Sequence, residues 1–302
     1  MEKEQNFVSA VVYIRNNSGA VKPFFSSLQR ELDAHFEKYE LIAVNAACTD
    51  NSCNELAEWG AEHSLPITVI HMSSLQSREA CMNAGLDISI GDFVYEFDYV
   101  EGMFPWETLF HAYEMMLKGN DIVSVCPSQM GGGSSLFYRL FNAYSNSPYE
   151  IRTNAFCLVS RRALHRVHAI SAYMPYRKAA YASSGLKNAV LEYSGRCYDK
   201  QENRLRLAVE SLLLYTHFGY RVSILLSIAM ALVTMSACIY VIAVYCLGSP
   251  IAGWTTTSLM ISFGFTGVFL GNTIVVKYLA LLLELLSKRE RYLVENVEKI
   301  QK

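Results

Sequence analysis

Along the first two thirds of the chain, apolar positions follow two alternating patterns. Short apolar or β-branched runs at Phe7–Ile14, Glu40–Val44, Ile67–Met72, Phe93–Phe97, Asp121–Cys126 and Ala155–Val159 read as buried strands. Between them the apolar residues recur at helical spacing. In Val21–Tyr39, Phe24, Phe25, Leu28, Leu32 and Phe36 share one face. Ser52–His63, Ser77–Ser89, Trp106–Leu117, Leu136–Tyr144 and Arg161–Val167 read as further helices. Polar turns such as Asn16-Asn17-Ser18-Gly19 divide the elements. This alternation predicts an α/β fold with a mostly parallel sheet covered by helices on both faces. Residues 1–199 are assigned to that domain.

Beyond Tyr215 the pattern changes. Lys200–Phe218 is amphipathic, with Leu205, Ala208, Val209, Leu212 and Leu213 on one side, and residues 200–221 read as a helix lying along a membrane surface. Two uncharged runs follow, Val222–Leu247 and Ile251–Val276. Each is about 39 Å long as a helix, more than the roughly 30 Å hydrocarbon core. Residues 222–276 therefore read as a two-helix transmembrane hairpin joined at Gly248-Ser249-Pro250. Arg204, Arg206 and Arg221 precede it, and Lys277, Lys288, Arg289 and Arg291 follow it. The positive-inside rule then places both termini in the cytoplasm, in a multi-pass protein of the inner (cytoplasmic) membrane. Residues 277–302 read as a helix leaving the membrane and a charged cytoplasmic tail. The start, MEKEQNF, has no apolar signal-peptide core.

Composition narrows the function classes. The chain has 302 residues and a formal net charge of −2, which gives no electrostatic case for nucleic acid as a partner. Two spans without intramembrane charges offer no ion path, so a channel is excluded. The eight cysteines form no C-x-x-C pair and no ligand cluster with the seven histidines. That argues against a zinc site or a disulfide framework and fits reduced thiols in a cytoplasmic domain.

The candidate chemistry centres on Gly91–Glu107, GDFVYEFDYVEGMFPWE. The strand Phe93–Phe97 ends in Asp98, with Glu101, Gly102 and Pro105 breaking it just after. Ligands of open α/β sheets sit at the carboxyl ends of the strands, so Asp98 is a candidate for holding a metal–diphosphate. Gly131-Gly132-Gly133-Ser134-Ser135 offers bare amides but lacks the lysine and spacing of a P-loop, and reads as a linker.

Several segments in order resemble family 2 glycosyltransferases with a GT-A fold. More narrowly, they resemble bacterial polyprenyl-phosphate sugar transferases with two C-terminal transmembrane helices. The segments are VSAVVYIRNN, YELIAVNAACTDNS, REACMNAGLDISIGDFVYEFDYV, SSLFYRLFNAYSN, TNAFCLVSRRAL, GSPIAGWTTTSLMISFGFTGVFLG and KRERYLVENVEK. Glu79, Gly85, Asp87, Gly91, Asp92, Phe156, Leu158, Arg161 and Arg162 match the pattern. The resemblance implies a nucleotide-sugar donor, a divalent Mg or Mn ion, a polyprenyl-phosphate acceptor from the lipid bilayer, and a homo-oligomer of up to four copies. Carried onto this sequence, it places donor binding at Asn16, Asn45, Asp50, Glu79 and Asp98. The metal falls to Asp98 with Glu101, and the acceptor or lipid phosphate to Arg196, Arg204 and Arg206. It assigns no catalytic residue.

The departures fall on the chemistry. The family's acidic pair after the second strand is Asn45-Ala46 here, and its Asp-x-Asp metal motif is Asp98-Tyr99-Val100. Ala155 and Cys157 stand where the family has Asp and Arg. A hard divalent cation wants carboxylate oxygens, and valine has none. A metal-independent reaction needs basic groups at the diphosphate, for which Arg78, Lys178, Arg196 and Lys200 are candidates. Two readings follow: a divergent membrane glycosyltransferase, or a pseudo-glycosyltransferase acting as partner or scaffold in glycan assembly. Whether the chain is an enzyme stays open at this stage.

Overall fold

A computed structural model describes residues 3–63, 65–100, 104–128, 142–143, 149–170, 176–195, 225–226, 229–230, 232–233, 236, 254–286 and 292–300. The chain divides into two compact units, Met1–Ala208 with Glu290–Lys302, and Val209–Arg289.

The first unit is built on an eight-stranded sheet of order β7-β5-β6-β4-β1-β2-β3-β8. Its strands are β1 (Val8–Ile14), β2 (Tyr39–Asn45), β3 (Ile67–Met72), β4 (Phe93–Phe97), β5 (Ile122–Pro127), β6 (Phe156–Ser160), β7 (Asn188–Tyr193) and β8 (Val294–Ile300). The helices named in this unit among the described residues are α1 (Val21–His35), α2 (Ser52–His63), α3 (Arg78–Ile88), α4 (Thr108–Leu117), α5 (Arg161–Ile170) and α6 (Arg177–Ser183). β1 pairs in parallel with both β2 and β4, and β2 with β3. β6 runs antiparallel between β4 and β5.

Every residue of β1 is buried, as a central strand covered on both faces requires. On one face Val8, Ala10 and Val12 join Phe24, Phe25, Leu28, Leu32, Tyr95 and Phe97 in the main apolar cluster. On the other, α3 lies so close that a Cβ on Gly85 would sit 2.4 Å from Val11 Cγ1 and 2.9 Å from Val44 Cγ2. A Cβ on Gly91 would fall 2.5 Å from the Ser9 backbone nitrogen. These two glycines let α3 and the entry to β4 pack flat on β1, which fixes where β4 ends.

Three elements differ from the sequence expectation, the first being α6, which lies where no element is expected. The edge strand β7 lies in a stretch where no element is expected; it pairs in parallel with β5 and is half exposed. At the C-terminus, residues 294–300 are not helical but form β8, antiparallel to β3. Its charged side chains point largely to solvent, so it lacks the apolar pattern of a core strand; the open edge of β3 supplies its backbone partners.

In the second unit, α7 (Trp254–Leu286) is a 33-residue helix that exposes Ile261, Phe263, Phe265, Val268, Leu270, Val275 and Val276. Met230 packs against it at Gly267, where a Cβ would come within 2.7 Å of the methionine. Among the described residues no helix is long and apolar enough to cross a membrane, so the span expected at 251–276 is not shown, and most of the span expected at 222–247 lies outside the described residues. The expected interfacial helix at 200–221 lies outside the described residues, as does the glycine run at 131–135.

Candidate functional site

Glu96 and Asp98 are two positions apart along the same extended segment, so they face the same side of the sheet. Glu79 reaches that side from the first turn of α3, whose N-terminus is capped by Ser77 Oγ accepting from the Ala80 N–H at 3.2 Å. All three acids are nearly inaccessible, at 6%, 4% and 9% exposure for Glu79, Glu96 and Asp98. Three buried carboxylates without a counter-charge would be strongly unfavourable.

The counter-charge is Arg177, the first residue of α6, itself 2% exposed. Its Nη2 donates to Asp98 Oδ1 at 2.6 Å and its Nε to Glu96 Oε2 at 2.9 Å. Nη1 stands 2.9 Å from Glu79 Oε2 as a charge contact, without the alignment of a hydrogen bond. The Arg177 backbone N–H donates to the same Glu79 oxygen at 3.1 Å. Tyr181, one turn later on α6, donates its hydroxyl to Glu96 Oε1. Lys178 Nζ stands 3.8 Å from Asp98 Oδ2.

The electrostatics follow from this packing. Burial opposes the Arg177 charge, but Glu79, Asp98 and Glu96 outweigh it and hold the guanidinium protonated well above its ordinary range. Burial also pushes Asp98 upward; Arg177, Lys178 and Arg78 overcome it and hold the carboxyl below its usual value. At Glu79 and Glu96 burial wins over Arg177, and both are raised.

Arg78 packs beside this edge. The Arg78 guanidinium lies 4.3 Å from the Tyr99 ring centroid and 5.4 Å from that of Tyr13, and its Nη1 donates to Tyr99 Oη at 2.7 Å. A cavity of about 250 Å³ adjoins the cluster, between α6 and the β5–β7 side of the sheet; it shares Lys178 and Tyr181 with the cluster and has Cys126, Cys157, Arg152 and Glu192 among its other walls.

The other expected donor residues serve as loop ties. Asp50 Oδ1 accepts from the Ser52 N–H and hydroxyl at 3.1 and 2.6 Å, and Oδ2 from the Ser18 N–H at 2.9 Å. Asn16 Oδ1 accepts from the Thr49 N–H at 2.9 Å. Asn45 Oδ1 accepts from the Cys48 N–H at 2.9 Å, while Nδ2 donates to His71 Nδ1 at 3.0 Å. These bonds knit the β1–α1 loop to the β2–α2 loop. Arg161 and Arg162 are ties as well, Arg161 to Gly91 O and Ser89 Oγ, Arg162 to both oxygens of Asp121. Glu101, Arg196, Arg204 and Arg206 lie outside the described residues.

Of the expected site residues, then, the fold brings Glu79 and Asp98 together and leaves Asn16, Asn45 and Asp50 in a separate network. It adds Glu96, Arg177 and Tyr181, which the sequence reading misses. Glu96 carries a signal, its place two residues before Asp98 on a strand. Arg177 carries none, because its partners are remote in sequence.

With Arg177 seated between the acids, the described residues do not fit a divalent metal. Val100, at the second ligand position of the family motif, is 2% exposed and packed in the apolar core. The three carboxylates are spread around a planar guanidinium rather than drawn into the roughly 2.0–2.6 Å shell that Mg²⁺ or Ca²⁺ needs. Among the described residues no group of His, Cys, Asp or Glu is arranged to hold a metal ion.

Compared with known proteins, the sequence matches no family model and no curated protein. Solved structures do match its fold. A mannosyltransferase from Pyrobaculum calidifontis, in complex with GDP-Man and Mn²⁺, superposes with a TM-score of 0.50 at 16% identity, over 91% of this chain and 88% of that one. The glucosyl-3-phosphoglycerate synthase of M. tuberculosis gives a TM-score of 0.50 at 12% identity, over 70% of this chain and 81% of that one. The chain has a GT-A-like fold. At these identities the likeness establishes the architecture, and the site must be read from its own residues.

Proposed function

We propose that this chain is a membrane-bound pseudo-glycosyltransferase: a nucleotide-sugar transferase fold whose metal-dependent donor site is closed, serving as partner or scaffold in glycan assembly. The observation that carries this reading is Arg177, whose guanidinium engages Asp98, Glu96 and Glu79 at the carboxyl end of β4. A donor diphosphate bridged to Asp98 through a metal would have to displace the Arg177 Nη2–Asp98 hydrogen bond and bring a divalent charge beside a buried guanidinium.

Membrane attachment is supported by the two uncharged runs in the sequence and by the apolar side chains that α7 exposes. The chain order supports a hairpin. The second unit starts after Ala208 and ends before Glu290, and both flanking segments belong to the first unit. Both termini then face the cytoplasm, and Arg196, Arg204 and Arg206 are the groups proposed to meet a lipid phosphate there.

Calorimetric titration of the full-length protein with UDP and GDP, with and without Mn²⁺, tests the central reading. The expected result is no metal-dependent binding, together with no sugar transfer to a polyprenyl phosphate. Tight Mn²⁺-dependent binding of either nucleotide overturns it. Reporters fused at each end are expected to read out on the same side of the membrane, and opposite sides would remove the hairpin.

A further inference from the structure

We infer that Arg177 is a built-in replacement for a divalent cation: the carboxylates of Glu79, Glu96 and Asp98 form a cation site that the protein fills with its own guanidinium. The inference rests on reading the carboxyl end of β4 as the donor edge of the fold, and it deepens that reading by naming what occupies the acids.

Three observations carry it. The acids come from two separate elements, α3 and the β4 segment, and converge on one guanidinium. That convergence has a large electrostatic cost unless a cation sits at the centre. The cation present is fixed in place from several sides. Nε, Nη1 and Nη2 each face a different carboxylate at 2.9, 2.9 and 2.6 Å. The Arg177 backbone N–H is tied to Glu79 as well, so the side chain starts from an anchored position. Finally, among the described residues the formal charges balance. Glu79, Glu96 and Asp98 supply three negative charges, and Arg177, Lys178 and Arg78 supply three positive ones.

A balanced cluster has no electrostatic demand for a further ion. A divalent cation entering it would add two positive charges to a buried neutral group and expel a guanidinium into protein interior. The tether adds to this: a side chain held beside its site competes at an effective concentration of mM or more without dissociating. Guanidinium geometry is also suited to the task, since its planar fork offers N–H groups in three directions. An ammonium at the same place would reach fewer acids.

The test uses Mn²⁺ alone, with no nucleotide or sugar, so it succeeds or fails independently of donor binding. Bound Mn²⁺ is counted by electron paramagnetic resonance, and thermal melting is followed with and without millimolar Mn²⁺. The natural protein is expected to bind no Mn²⁺ at this site and to melt unchanged. Arg177→Ala is expected to melt roughly 10 °C lower, through loss of a buried pair. Mn²⁺ is expected to restore part of that loss and to bind once per chain, and Asp98→Asn in the same background should abolish both effects.

Mn²⁺ binding by the natural protein that disappears in Asp98→Asn overturns the inference. So does a folded Arg177→Ala variant that ignores Mn²⁺, because Arg177 would then be an ordinary structural ion pair. If Arg177→Ala cannot be recovered folded, Arg177→Lys replaces it. It keeps one charge but cannot bridge three acids, and is expected to show a smaller Mn²⁺-dependent rise in Tm. No rise would count against the inference.

Discussion

Arg177 Nη2 lies 2.6 Å from Asp98 Oδ1, and both residues are buried where β4 ends. Lys178, the next residue, also faces Asp98, but from 3.8 Å and with more of its side chain in water. The two cations therefore differ in worth. Breaking a buried, hydrogen-bonded pair costs about 3–5 kcal/mol, whereas a loose pair at the rim is worth about 1 kcal/mol or less.

That difference gives the first prediction. Asp98→Asn should lower stability by about 3 kcal/mol, the low end of the range because Glu79 and Glu96 still hold Arg177. Lys178→Met should cost under about 1 kcal/mol. Urea denaturation of both variants provides the comparison. Equal losses would mean that Arg177 is not the principal partner of Asp98.

Val100→Asp is the substitution that sequence comparison invites, because it rebuilds the Asp-x-Asp motif. The fold predicts a different outcome. Val100 is 2% exposed and belongs to the same apolar cluster as Phe97 and Phe104. A carboxylate buried among these apolar side chains should cost roughly 3–5 kcal/mol. The variant is expected to melt markedly lower and to gain no Mn²⁺ binding. A stable Val100→Asp protein that binds Mn²⁺ would show that this position turns toward the acids after all.

Much of the scaffold is legible in the sequence because its cause is local. β1 is a continuous apolar run buried on both faces, and the apolar face of α1 recurs at helical spacing. The site is less legible because its decisive contacts are remote. Arg177 meets Glu79, Glu96 and Asp98 across 98, 81 and 79 residues, and no spacing rule spans such gaps. The missing metal-motif acid can be read directly from Val100. What replaced the metal cannot, because any of several basic residues would have served equally well on paper.

The cysteines of the first unit should separate by reactivity. A hydrogen bond with Cys53, against the effect of burial and with help from the Asn16 N–H, holds the Cys48 thiol below its ordinary value. Burial pushes Cys81 up to about 12 and raises Cys157 as well. The thiolate is the reacting form, so iodoacetamide at mildly alkaline pH should label Cys48 first. Cys81 and Cys157 should react only after denaturant is added. Mass spectrometry of timed samples decides it, and early labelling of Cys157 would contradict the buried placement of β6.

The last prediction concerns β8, whose sequence VENVEKI gives little sign of a strand. Its formation has an external cause. β3 would otherwise be an open edge, and β8 supplies its backbone partners from Ile67↔Ile300 to Met72↔Val294. The segment is anchored at both ends. Leu293 O accepts from the Ser73 N–H at 3.1 Å and from Gln76 Nε2 at 2.7 Å. Ile300 packs over Gly60, where an added Cβ would lie 3.1 Å from its Cγ2. The outward charges Glu295, Glu298 and Lys299 then guard the new edge against pairing with another chain. Ending the chain at Arg291 should therefore do two things. It should lower the melting temperature of the first unit, and it should promote self-association through the bared β3 edge. Val297→Gly, which weakens the strand without deleting the segment, should give a smaller loss of the same kind. Thermal melting and sedimentation velocity measure the two effects separately. If the truncated protein melts at the natural temperature and stays dispersed, β8 is an ornament on the sheet; if it weakens and associates, β8 is the edge cover that completes the fold.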